Sequence, residues 1–133
     1  MSAAARTYIA GSKLTYFGLP GRGEASRLAF IVGGVDFEDE RLGFPEWGGF
    51  KSSTPFGSLP ILTLNTGDVI TQQRSILRFI GKHVDLYPTD PLQAVRVDEV
   101  LDFCDDLAVK INNAGQGKDG DEKLEARANE CNA

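Results

Sequence analysis

Only two cysteines, Cys104 and Cys131, occur in the 133 residues. They form no CxxC and no Cys/His cluster, which excludes a disulfide framework and a structural zinc site and leaves two reduced thiols. The single histidine, His83, cannot complete a Ser/His/Asp or Cys/His arrangement, so nucleophilic hydrolysis is excluded. Late in a helical stretch, it reads as a surface or capping residue. Lys and Arg form no run and the net charge is -5, which excludes a general nucleic-acid or anionic-membrane surface. No stretch approaches about eighteen consecutive apolar residues, the length a membrane span needs. Met1 to Gly11 also lacks the apolar middle of a secretory signal, so a cytoplasmic protein without a membrane partner is expected. Gly21-Arg22-Gly23 lacks the third spaced glycine of a phosphate loop, and nucleotide binding is set aside.

What is present is an ordinary soluble composition, 41% hydrophobic and 25% charged, enough for one core and an appendage. Residues 1–11 are small and polar without periodicity and read as a flexible leader. Lys13 to Phe17 alternates as a first strand. Arg22 to Val32 places Ala25, Leu28, Ala29 and Val32 at helical spacing, with Gly33-Gly34 as its stop. Val35 to Leu42 is a second strand, and Gly43 to Thr54 a long loop or short irregular helix. Leu59 to Leu64 and Val69-Ile70 form a hairpin across Asn65 to Asp68. Thr71 caps a helix whose Ile76, Leu77, Ile80 and Val84 face the sheet. The layout is α/β, a thioredoxin-like βαβ-ββα domain over 12–88.

After the linker Leu86 to Pro91, Asp90 and Pro91 open a new helix. Its stripe of Val97, Leu101, Cys104, Ala108 and Ile111 opposes a face of Asp98, Glu99, Asp102, Asp105 and Asp106. From Ala114 the composition turns polar, with one or two helical turns around Leu124 to Asn129. Residues 89–133 are therefore the beginning of an all-α domain.

Phe56-Gly57-Ser58-Leu59-Pro60-Ile61-Leu62 is the stretch around which the rest is organised. A proline at the mouth of a strand cannot donate to the ladder, and a cis Leu59-Pro60 bond would leave the N–H and C=O of Leu59 for an extended ligand such as a short peptide.

These residues, with Lys13 to Phe17, Gly21 to Glu24, Trp47, Lys51, Thr71-Gln72 and Leu86-Tyr87-Pro88, resemble the N-terminal domain of cytosolic glutathione transferases. The likeness is greatest to the tyrosine-dependent, sigma-like kind and covers roughly residues 12–112. It implies that Tyr16 hydrogen-bonds the sulfur of glutathione and activates the thiol. On its own Tyr16 would read as a core aromatic; Tyr8 and Thr15 are the competing hydroxyls. The resemblance also puts Arg22 near the sulfur, Trp47 and Lys51 at the glycine end, and Ser58, Leu59 and Pro60 along the cysteinyl part. Gln72 and Gln73 fall at the γ-glutamyl end. Gln73 replaces the usual Ser, and Ser58 the common Gln, which implies weaker glutathione binding.

Sigma-like members carry carboxylates near a dimer axis, the last reaching glutathione in the partner subunit, which implies a homodimer and a role for Asp106. Asp102, Asp105 and Asp106 are weak candidates for a divalent cation, but a solvated helix face explains them as well, and no metal is required. The implied function is conjugation of the glutathione thiolate, glutathione being the co-substrate, to small electrophiles. The alternative is a truncated glutathione-binding, non-catalytic interaction module, because only the start of the helical domain is expected.

Overall fold

The structure is a computed structural model and describes residues 7–132. The chain divides between Pro88 and Thr89 into two compact units. In the first, β1 (Lys13–Phe17), α1 (Glu24–Gly33), β2 (Glu38–Leu42), α2 (Phe44–Phe50), β3 (Ile61–Thr63), β4 (Val69–Thr71) and α3 (Gln73–His83) follow in order. The sheet order is β2-β1-β3-β4. β1 and β2 run parallel, which requires the α1 crossover, whereas β3 is antiparallel to both β1 and β4. This is the mixed thioredoxin-like α/β arrangement expected.

Leu14 and Leu62 are directly paired across β1 and β3 and are fully buried. Phe30 from α1 and Ile76 and Ile80 from α3 close over them. Each such side chain contributes about 1.5–3 kcal/mol on leaving water. Phe30 stacks on Phe37 at 4.5 Å between centroids.

Several local expectations are corrected. Leu28 and Val32 of α1 are exposed, and the helix buries Ser26, Arg27, Ala29, Phe30 and Gly33 instead. Helical spacing names a face without saying that it turns inward. Gly34, left-handed, ends the helix as its stop requires. The second strand begins only at Glu38, and the third and fourth are three residues each. Gln72 rather than Thr71 caps α3, because Thr71 still pairs with Ile61. Within the stretch expected as a flexible leader, residues 7–9 are helical and Ile9 is fully buried in the core; residues 1–6 lie outside the described residues. Tyr8 stacks on His83 at 5.6 Å, and His83 Nδ1 lies 2.8 Å from the Phe79 carbonyl, so His83 is a half-buried packing residue.

In the second unit, α4 (Pro91–Ala114) starts as expected, the Asp90 carboxylate accepting from the Gln93 amide at 2.9 Å. It packs against α5 (Gly120–Cys131), a longer helix than the one or two turns expected. Neither helix has a fully buried residue, and Cys104 of the expected stripe is exposed. Among the described residues, no helix is long and apolar enough to cross a membrane.

Candidate functional site

Alternation along β1 puts Tyr16 on the same side as Leu14, and its side chain is 7% exposed. It clusters with Leu59 and Ile61, and Phe17, Leu42, Trp47 and Phe50 pack against them. The backbone N–H of Arg22 donates to Tyr16 Oη at 3.0 Å. That bond occupies an acceptor position on the oxygen and leaves the O–H proton for another acceptor. The competing hydroxyls lie elsewhere. Buried Thr15 donates to Glu40 Oε2 at 2.6 Å, and Tyr8 lies on His83.

The turn after β1 is shaped around the Tyr16 ring. A Cβ on Gly23 would stand 2.6 Å from Tyr16 Cδ1, and one on Gly21, at φ 41°, would stand 2.7 Å from the hydroxyl oxygen. Only glycine lets the backbone approach the ring this closely.

Leu59-Pro60 is cis, and both residues are buried. Leu59 precedes the β3 ladder, which begins at Ile61. Ser58 is half-buried beside it. Trp47, on α2, meets Phe17 edge-on at 5.8 Å, while Phe44 stacks on Phe17 at 4.8 Å. Lys51 is exposed, and its stem runs 3.5 Å from where a Gly57 side chain would begin, which sets its ammonium beside the Phe56–Ser58 turn. Because Thr71 pairs with Ile61, Gln72 follows at the sheet end beside Pro60. Gln72 has φ 70°, unusual for a residue with a side chain, and Gln73 opens α3.

The structure thus brings Tyr16, the Arg22 backbone, Trp47, Leu59 and Pro60 to one end of the sheet. The Arg22 side chain is exposed. Asp106 belongs to the second unit, where it lines a cavity of about 520 Å³ with Phe103, Leu107, Lys110, Glu130 and Cys131. Among the described residues, no three His, Cys, Asp or Glu side chains come together as a metal site.

One residue was missed in the sequence. Arg27 is 3% exposed and donates to Asp39, Glu24 and two main-chain carbonyls. Its signal was an arginine three residues before Phe30, on the same helical face. Burial alone would lower its pKa, but the hydrogen bonds to Asp39 and Glu24 outweigh this and raise it. Burial likewise pushes the Asp39 carboxyl up, and Arg27 and Arg41 more than reverse it, holding it below the usual range. Glu40 is held low chiefly by the Thr15 hydroxyl, against burial and with help from Lys13.

No protein-family model matches the chain. Glutathione S-transferase 1 of Ascaris suum is 39% identical over 99 residues, 74% of this chain and 48% of the relative. Hematopoietic prostaglandin D synthase of Gallus gallus is 35% identical over 111 residues, 84% of this chain and 55% of the relative. The crystal structure of the glutathione S-transferase from Ascaris lumbricoides superposes with a TM-score of 0.77 at 34% identity, over 90% of this chain and 63% of that one. The chain spans about half the length of the curated relatives it matches. Glutathione S-transferases recur among its homologues and structural neighbours, and it carries their thioredoxin-like α/β domain followed by helices.

Proposed function

We propose that the chain acts as a glutathione transferase of the sigma-like, tyrosine-dependent kind, presenting the glutathione thiolate to small electrophiles. The observation that carries this reading is the Tyr16 hydroxyl, buried at the end of β1 and held by the Arg22 amide with its own proton uncommitted. Tyr16 donates that proton in a hydrogen bond to the sulfur. A bond to the charged form favours it, so a thiol of reference pKa about 8.5 gains thiolate at neutral pH, at about 1.4 kcal/mol per pKa unit.

The remaining contacts follow the extended shape of the tripeptide. Leu59, lying ahead of the ladder, pairs its backbone with the cysteinyl part as in strand addition, with Ser58 and Pro60 shaping the turn. Trp47 and Lys51 take the glycine end, the ammonium meeting the carboxylate. Gln72 and Gln73 receive the γ-glutamyl end at the start of α3, where the helix dipole favours an anion. The strained φ of Gln72 supports this, because such strain collects at ligand clamps. The exposed Arg22 side chain adds positive charge at the sulfur end. Asp106 contacts glutathione across a homodimer, and the setting is cytoplasmic with no metal required.

A second reading is a glutathione-binding module without catalysis. The two separate on conjugation of glutathione to a generic aromatic halide by the wild type and Tyr16→Phe at equal thiol. Turnover above background that falls with Tyr16→Phe supports the transferase. Glutathione binding without turnover supports the module, and no binding refutes both.

A further inference from the structure

Arg27 sits under the Tyr16 ring, its guanidinium carbon 5.7 Å from the ring centroid. Nη2 donates to the Phe17 carbonyl at 3.0 Å and Nη1 to the Leu19 carbonyl at 2.9 Å, one on each side of Gly18. Nε donates to Asp39 Oδ1 at 2.9 Å, and Nη1 also reaches Glu24 Oε2 at 3.1 Å. The two carbonyls belong to the turn that leads from Tyr16 to Arg22. Gly18 to Arg22 is exposed; Pro20 fixes one φ and its carbonyl accepts the Glu24 amide at 3.0 Å, but Gly18 and Gly21 leave the Phe17–Leu19 part of the turn without a restraint of its own. A planar guanidinium holds several acceptors at set spacing, which a lysine ammonium does not.

We propose that Arg27 is a positioning residue for Tyr16: anchored by Asp39 and Glu24, it clamps the Phe17 and Leu19 carbonyls and so keeps the Arg22 amide on the Tyr16 hydroxyl. Its consequence for catalysis rests on the reading of Tyr16 as the thiol's hydrogen-bond donor; the positioning itself does not.

The test reads the Arg22 amide directly, in nitrogen–proton correlation spectra of the full chain. Arg27→Lys shifts the Arg22 amide toward its position in Tyr16→Phe, while the Leu14 and Leu62 amides in the sheet stay in place. Asp39→Asn, a milder change if Arg27→Lys fails to fold, shifts it in the same direction by less. In conjugation assays Arg27→Lys lowers kcat about tenfold, below the roughly hundredfold that a misplacement of about 1 Å can cost. The double variant with Tyr16→Phe loses no more than Tyr16→Phe alone, because both act through one hydroxyl. An Arg22 amide unmoved in the folded variants, or losses that multiply, overturns the proposal. A wild type that neither binds nor turns over glutathione refutes the transferase reading instead, and the amide shift still decides the role of Arg27.

Discussion

The Arg22 amide donates to the Tyr16 hydroxyl at 3.0 Å, so the group proposed to meet the thiol is oriented by main chain. Removing the Arg22 side chain leaves that donor in place. Arg22→Ala is therefore expected to lower kcat/KM by no more than about fivefold, the roughly 1 kcal/mol an exposed charge contributes. Steady-state kinetics beside Tyr16→Phe check this, and a larger loss in Arg22→Ala than in Tyr16→Phe would contradict it.

Gly23→Ala tests how tightly the turn fits the ring. The new methyl meets Tyr16 Cδ1 and Cγ at 2.6 and 2.7 Å, and neither atom belongs to a flexible tip. Overpacking of this kind costs about 1–3 kcal/mol. Thermal unfolding should show that loss, with conjugation falling further because the hydroxyl is displaced; unchanged stability and turnover would show that the ring yields freely.

Much of the fold was legible in the sequence, because it is written in short-range signals. The β1 alternation, the Gly33-Gly34 stop and the Asp90-Pro91 start each depend on neighbours a few residues away. Helical spacing points to the wrong face of α1, because Leu28 and Val32 share that spacing yet stay exposed, while a charged residue, Arg27, takes the inner side. Arg27 is admitted there only because Asp39, twelve residues on, and the carbonyls of Phe17 and Leu19 meet it. Such a match exists only once β2 lies beside β1. The residues that gather around Tyr16 came from a motif resemblance rather than from periodicity, and the positive φ of Gln72 had no local signal at all.

Gln72→Gly should separate stability from binding. Glycine accepts φ 70° without strain, and the release of about 1–3 kcal/mol exceeds the roughly 0.5–1 kcal/mol of added unfolded-chain entropy. The expected result is a gain in stability of about 1 kcal/mol, seen as a higher Tm, together with weaker glutathione binding by calorimetry. A lower Tm would show that the Gln72 side chain contributes more to the fold than its backbone costs.

The pH dependence of stability follows from Asp39 and Glu40, whose pKa values lie below the ordinary carboxylate range in the fold. The unfolded chain then binds more protons, so stability rises with pH through this interval. Their contribution is complete above about pH 5 and is lost as the pH falls through the folded values. Asp39→Asn should be less stable than the wild type at neutral pH, and the difference should shrink in acid. Denaturant unfolding at about pH 7 and about pH 3 measures both gaps; equal gaps would remove Asp39 from the acid response.

The central claim is that Tyr16 stabilises the glutathione thiolate, and the ultraviolet absorbance of bound thiolate, titrated with pH in the wild type and in Tyr16→Phe, tests it most directly. The account predicts a wild-type midpoint at least about one pH unit below that of Tyr16→Phe, or about 1.4 kcal/mol. Coincident midpoints, with glutathione bound equally well by both, would contradict it.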